Sequence, residues 1–240
     1  MWYAKNTYGY VDGSTEANAN ALSIARILYS HGWDKKAVCA AIGNASGGES
    51  NLNPWRWESE YIPTVSEFLN WTTAQAQSHG YGLFQFTPAN KYINGTNANL
   101  YPTYFNPNFS NIPGQPIDGE SQVLYFASSG IQQDWLFNPS LYNYYYTAFQ
   151  NVGVDISPWW GTSLNNFING VDNNGNALTV AQLTGVFELG YERPGNTYAA
   201  NSYNARKTSA EYYYGILPDP PTPSSISKMP WIYYLKHRRF

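Results

Sequence analysis

The chain has few charges, one cysteine and no long apolar run. Charged residues fill 12% of its 240 positions, about half the usual quarter of a soluble protein. A net charge of −3 argues against a general nucleic-acid binder, which needs a basic surface. The single cysteine, Cys39, excludes an internal disulfide framework. The longest apolar stretches fall far short of the roughly 18 to 20 residues of a membrane-spanning helix.

Aromatic side chains, by contrast, are abundant. Tyr, Trp and Phe make up 18% of the sequence, with 22 Tyr and 9 Trp. Rings with a polar edge bury a large area at a small entropic cost. They are therefore suited to sugar recognition, to the packing of virion subunits, or simply to an aromatic-rich core.

Helix signals dominate the first half of the chain. Ser14 or Thr15 caps a predicted helix that stops at Gly32, and Asp34 caps a second one. Thr64 and Glu67 form a predicted capping box for a third. Residues 80–88 predict a compact turn–strand–turn element, and residues 94–118 a long irregular excursion. Further helices are expected near 120–128, 140–150, 179–192 and 198–214.

The C-terminal sequence divides into a linker and a tail. Residues 217–225, LPDPPTPSS, are proline-rich and predict a linker. Residues 226–240 combine basic and aromatic side chains, and we expect them to dock onto a partner protein or onto the parent domain. The predicted domains are therefore a helical domain over 1–216, the linker, and this docking tail. A remnant basic tail is the alternative.

One glutamate ends an apolar stripe. Val38, Ile42, Ala45 and Glu49 share one helical face because they are spaced by four, three and four residues. A carboxyl group at the inner edge of such a face loses hydration, which favours its neutral form. A protonated carboxyl is what a general acid requires. Local pairing of Glu49 with Arg56 is the structural alternative.

Three segments carry a resemblance to a known family. ESNLNPW (49–55), GYGLFQFTP (80–88) and YERPGN (191–196) occur in the order found in the lysozyme domains on the tail tips of short-tailed phages. The resemblance implies an α+β, predominantly α, lysozyme-like fold with a small irregular or β lobe. It also implies a peptidoglycan substrate, no cofactor or metal, and delivery to the host cell wall by the virion. Such delivery is compatible with synthesis in the host cytoplasm from an N-terminal sequence that shows no signal peptide.

The resemblance also assigns roles to individual residues. Glu49 matches the glutamate that protonates the glycosidic oxygen. Gln85 matches a glutamine that binds substrate or a water, or is a structural amide. Tyr191 and Glu192 match a cleft wall, although Glu192 also has Arg193 beside it as a partner. Three further candidates for substrate binding are aromatic, and each is equally suited to the core: Trp55, Trp57 and Tyr81.

A second catalytic carboxylate is harder to assign. Glu58, Glu60 and Glu67 lie between the first two motifs, and Glu58 is the preferred candidate because it is closest to the turn. The spacing of two carboxylates distinguishes retaining from inverting glycosidases. Some lysozyme-like enzymes work with one glutamate, so both a hydrolase and a lytic transglycosylase are compatible with this sequence.

Two other classes of function, a Cys–His amidase and an inactive structural protein, are alternatives to a glycosidase. A Cys–His amidase would need His31 or His79 beside Cys39, but Cys39 lies in an alanine-rich helix typical of a buried thiol. The three histidines lack the spacing of zinc ligands. A structural virion protein that keeps a lysozyme scaffold without activity is the stronger alternative, since a fold does not guarantee a function.

Overall fold

The structure is a computed structural model that describes residues 2–5, 9–56, 58, 79–93 and 117–221. Its α-helices are α1 (Thr15–Ser30), α2 (Lys35–Asn44), α3 (Asn90–Ile93), α4 (Ile117–Tyr125), α5 (Ile131–Asp134), α6 (Tyr142–Gln150), α7 (Leu164–Ile168), α8 (Val180–Phe187) and α9 (Asn196–Ile216). Five-residue π turns extend α2, α4 and α8, over Ala45–Glu49, Phe126–Gly130 and Glu188–Glu192.

Strand structure is minimal in the described ranges. It consists of two isolated antiparallel bridges, Tyr81 with Phe86 and Val171 with Ala177. The predicted predominantly α class is therefore confirmed. The first bridge closes the compact turn expected over residues 80–88. No helix in the described part of the chain is long and apolar enough to cross a membrane.

The first two helices begin where the capping residues predict. The Ser14 hydroxyl accepts a hydrogen bond from the Ala17 amide at 3.2 Å, and the Asp34 carboxylate accepts one from the Lys36 amide at 2.8 Å. Each bond satisfies an amide that has no partner inside its helix. The capping box at Thr64 and Glu67 lies outside the described residues.

Helix α2 is the centre of the fold, and α8 and α9 pack against it. Its stripe residues Val38, Ile42 and Ala45 are fully buried, as their spacing predicts. Gly43 faces α9, where an added Cβ would come within 2.5 Å of the Ala210 Cβ. A Cβ on Gly47 would come within 2.7 Å of the Arg206 backbone.

These contacts change the interpretation of the glycines before Glu49. From the sequence alone, two residues without side chains, Gly47 and Gly48, predict room for a ligand beside the acid. In the structure a Cβ on Gly48 would lie 2.2 Å from the Arg206 guanidinium carbon. The space freed by both glycines is therefore filled chiefly by α9, because a helix can approach this closely only where the facing residue has no side chain.

An aromatic core holds the 80–88 turn against the helices. Phe84 stacks on Phe126 with ring centroids 3.9 Å apart. Phe126 in turn meets Tyr191 edge-on at 5.3 Å. Because these rings join the turn, the π turn after α4 and the π turn after α8, the three segments have a fixed relative position at one place in the fold.

The first residues of the predicted linker pack back on the helical domain. Leu217 is buried, the Tyr29 hydroxyl donates to the Pro218 carbonyl at 3.0 Å, and Lys35 pairs with Asp219 at 3.0 Å. The predicted docking tail, residues 226–240, lies outside the described residues, so the domain division stays a prediction.

Candidate active site

A groove of about 540 Å³ runs between the π turn that ends α2, the 82–91 segment and the π turn that ends α8. Its lining includes Glu49, Glu58, Gln85, Tyr191, Glu192 and Tyr198. The third motif thus meets the first two at one surface, although it begins more than 100 residues after the second one ends.

Glu49 is the last residue of its π turn, and the chain reverses directly after it. The Ser50 amide bonds the Ala45 carbonyl, five residues back, at 2.8 Å. Asn51 and Leu52 then adopt positive φ angles of 49° and 56°, which turn the chain away from the groove. π turns inside helices occur frequently at functional sites. Here the wider turn leaves the Glu49 side chain 18% exposed at the groove wall.

Two side chains fix the 82–91 segment against this turn. The Ser50 hydroxyl donates to the Leu83 carbonyl at 2.9 Å. The buried Gln122 amide accepts from the Leu83 amide and donates to the Pro54 carbonyl, both at 2.7 Å. Because Gln122 bonds both motif loops, it fixes their position relative to each other.

Gln85 lines the groove but is tied to the backbone. Its Nε2 donates to the Gly82 carbonyl at 2.9 Å and to the Arg56 carbonyl at 3.2 Å. The side-chain nitrogen of Gln85 therefore has the structural role that is the alternative to substrate binding. Its Oε1 is the side-chain atom that can accept a hydrogen bond from a ligand.

Glu49 pairs with Arg206, an arginine that lies outside the three sequence motifs. Arg206 Nη2 lies 2.5 Å from Glu49 Oε1, and the Arg206 side chain is 0% exposed. Its Nη1 donates to Asn44 Oδ1 at 2.9 Å, and its Nε lies 3.1 Å from Glu188 Oε1. Arg206, rather than Arg56, is thus the ionic partner of Glu49.

Two more carboxyl groups lie around the same guanidinium. Glu188 is fully buried, and burial raises its pKa to about 7 against the opposing charge of Arg206. Glu192 is partly exposed at the groove, yet its Oε1 is enclosed and has no hydrogen-bond partner within the described residues. Burial, and next the charge of Glu49, raise the pKa of Glu192 well above its usual value. Its chain neighbour Arg193 donates from Nη1 to the Asp134 carbonyl.

The aromatic candidates separate into lining and core. Tyr191 lies in the groove floor with most of its ring buried. Trp55 and Tyr81 are buried and absent from the lining, so the core alternative fits both. Tyr81 stacks on Tyr92 at 6.3 Å. Trp57 lies outside the described residues. Tyr198, which was not selected, is 55% exposed on the groove rim.

Glu58, the preferred second carboxylate, also reaches the groove. It is exposed, and its Oε2 accepts a hydrogen bond from the Gly80 amide at 2.8 Å. The other two candidates, Glu60 and Glu67, lie outside the described residues. The groove thus holds Glu58 on one wall, with Glu49 and Glu192 near Arg206.

Cys39 has the environment of a structural thiol. It is fully buried, and burial raises its pKa to about 12. A nucleophilic cysteine needs a thiolate, so this environment argues against Cys–His chemistry. Among the described residues, no cluster of His, Cys, Asp and Glu is arranged to hold a metal ion.

The helical fold, with a carboxyl group at the end of a buried helix and in the wall of a groove, is consistent with a lysozyme-like fold. Comparison with known sequences agrees. Residues 19–111 match the family of phage tail lysozymes. Morphogenesis protein 1 of Bacillus phage B103 is 34% identical over 99 residues, which are 41% of this chain and 23% of that protein.

These matches confirm the resemblance of this part of the chain to phage tail lysozymes. The family match includes Glu49 and Gln85 but stops before α4, so Glu188, Glu192 and Arg206 lie outside it. The aligned part spans less than a quarter of the B103 protein. The resemblance seen in YERPGN (191–196) stays a prediction.

Proposed function

We propose that this chain is a glycosidase of the phage virion that cleaves the glycan strands of host peptidoglycan at the tail during genome entry, with Glu49 as general acid. The main support is the position of Glu49, whose carboxyl group lies in the wall of an open groove and within the stretch that matches phage tail lysozymes. A fully buried or fully exposed side chain would not have supported this role.

The lining is suited to a polar polymer. Groups that can hydrogen-bond sugar hydroxyls and amides are present, notably Gln85 Oε1 and Glu58. The Tyr191 and Tyr198 rings supply apolar surface, against which a pyranose face packs. Glu49 would donate a proton to the glycosidic oxygen while the bond to the anomeric carbon breaks. Water, or a hydroxyl of the sugar itself, would then complete hydrolysis or transglycosylation.

The test compares wall lysis by the wild-type chain and by Glu49→Gln. We expect the substitution to lower the rate of turbidity loss on the order of 10³-fold, the contribution typical of a general acid. Glutamine keeps the shape of the side chain and an oxygen for Arg206, so thermal unfolding should show a folded variant. Glu211→Gln, an exposed change on α9, is the matched control and should keep the wild-type rate.

Two outcomes would change the conclusion. Equal lysis by wild type and Glu49→Gln would contradict the assignment of the acid. No lysis of any of several wall chemotypes by the wild type would favour an inactive tail scaffold. Mass analysis of the released fragments distinguishes the reactions, because a hydrolase leaves a reducing end and a lytic transglycosylase leaves an internal anhydro-sugar.

We also propose that residues 226–240 bind another phage tail protein. The support is their sequence, which places Lys228, Lys236, Arg238 and Arg239 among aromatic residues. Deleting 226–240 should leave the lysis of isolated walls unchanged and reduce incorporation into particles, measured by immunoblotting of purified virions. A variant in which the four basic residues are alanine is the companion. Normal incorporation of both would contradict this role.

A further inference from the structure

The site contains more negative than positive charge. The guanidinium of Arg206 contacts Glu49 at 2.5 Å and Glu188 at 3.1 Å, and Glu192 also interacts with its charge. If all three carboxyl groups were ionised, three negative charges would face one positive charge, a net −2. Arg193 also contributes positive charge to Glu192, and counting its guanidinium still leaves three negative charges against two positive ones, a net −1.

A buried cluster does not keep such an imbalance. Unpaired charges in a poorly hydrated site are costly, and acids in that position hold a proton instead. Two carboxyl groups close to each other also oppose each other's ionisation, so their protons leave in separate steps. At least one proton should therefore stay in this cluster at neutral pH.

The contacts indicate which carboxyl groups hold protons. Glu49 Oε1 accepts a hydrogen bond from Arg206 Nη2. Glu188 Oε1 accepts from Arg206 Nε and from the Ser202 hydroxyl at 2.7 Å, but its Oε2 is enclosed without a hydrogen-bond partner among the described residues, so Glu188 also holds a proton, away from the groove lining. Glu192 receives no such donor within the described residues, and its Oε1 is enclosed. A neutral carboxyl tolerates this environment much better than a carboxylate. Of the two acids that line the groove, Glu192 is the one that the contacts leave neutral.

We propose that Glu192 is the proton-storing partner of Glu49 in the groove. The proposal rests on the proposed function. It identifies Glu192, in the π turn after α8, as the second acid, for which the sequence favours Glu58. Both acids end a π turn and line one groove. Glu192 acts through Glu49. It holds the proton that Glu49 transfers, and it does not need to contact the substrate.

Protons balance over one turnover. The bond between the anomeric carbon and the glycosidic oxygen breaks, and its electron pair stays on the oxygen, which takes a proton from Glu49. Glu192 supplies that proton to Glu49, directly or through one water. The incoming hydroxyl group, from water or from the sugar, bonds to the anomeric carbon and releases a proton to Glu49, from which it returns to Glu192. The pair ends as it began.

The pH dependence of lysis tests this role. In Glu192→Gln no stored proton is available to replace the one that Glu49 transfers. We expect the rate at pH 7.5 to fall at least tenfold, and to recover largely at pH 5, where solvent supplies the proton. The alkaline limb of the pH–rate profile should therefore move down by about one pH unit or more, since one unit corresponds to tenfold. Glu211→Gln is the control and should keep the wild-type profile.

A purely structural role would give another result. A displaced loop or a weakened groove would lower the rate by the same factor at every pH. A Glu192→Gln profile of wild-type shape, at equal or uniformly reduced rate, would overturn the proposal. In that case Glu49→Gln would still be inactive and the proposed function would stand.

A second measurement needs no activity. Carbon NMR of protein labelled at the glutamate carboxyl carbons follows each ionisation, and loss of a signal in Glu192→Gln assigns Glu192. We expect Glu192 to be neutral at pH 7 in the wild type and to ionise at lower pH in Glu49→Gln, because a negative neighbour is gone. A Glu192 signal already ionised at pH 6 would overturn the proposal, even if no wall substrate were found.

Discussion

Replacing Arg206 by methionine should destabilise the fold by about 3 to 5 kcal/mol at pH 7.5, the usual cost of removing one partner from a buried ion pair. Methionine fills a similar volume, so the loss is mainly electrostatic. Glu188 would stay fully buried without its cation, and Asn44 would lose the donor at 2.9 Å. The loss should be smaller at pH 5, because Glu188, whose pKa burial raises to about 7, is then protonated. Urea unfolding at both pH values measures it.

Two variants make this result specific. Arg26→Met changes an exposed arginine on α1 and should alter stability by no more than about 0.5 kcal/mol. Arg206→Met combined with Glu188→Leu removes both the cation and its buried partner, and should recover part of the loss, as apolar replacement of buried ion pairs often does. Equal effects of Arg206→Met and Arg26→Met would contradict the central role of this guanidinium.

Replacing Glu188 by glutamine should change how stability depends on pH. Burial raises the pKa of Glu188 from 4.5 to about 7, so between these values the folded chain holds a proton that the unfolded chain has released. Unfolding then releases a proton, and the stability due to Glu188 falls as pH rises, by about 1.4 kcal/mol per unit. Over the window the fall amounts to about 3 kcal/mol, and Glu188→Gln should lack it.

The measurement is a pair of urea unfolding series at pH 4.5, 6 and 7.5. The free energy of unfolding of the variant should gain about 3 kcal/mol relative to the wild type between the lowest and highest pH. Other titrating groups, including Glu192, are present in both proteins and contribute to both curves. Glu211→Gln should run parallel to the wild type. A Glu188→Gln curve parallel to the wild type would show that Glu188 does not hold this proton.

Local signals predicted the starts of the first two helices and the position of the acid. Ser14 and Asp34 carry the capping side chains at the observed starts of α1 and α2, and the stripe from Val38 leads to Glu49 at the groove. Such features depend on residues three or four apart, which a sequence displays directly. The aromatic residues were harder to assign, because a ring in the core and a ring in a groove look alike in sequence.

The ionic cluster depends on a contact between distant parts of the chain. Arg206 and Glu49 are 157 positions apart, and no local pattern joins them. A weaker signal was available, since Tyr203, Arg206, Ala210 and Tyr213 are spaced by three and four on the buried face of α9. An arginine in such a stripe requires a buried acid. The pattern predicts that a partner exists but does not identify which of the 16 acidic residues it is.

The π turns that end at Glu49 and Glu192 each hold one more residue than the α-helical geometry that they interrupt. Removing one residue from Ala45–Glu49 would restore regular winding, and successive side chains of a regular helix differ in direction by about 100°. The acid would then point away from the groove while α2 and its buried face stayed intact. A single-codon insertion that converts a regular helical turn into a π turn is therefore enough to direct a carboxyl group into the groove.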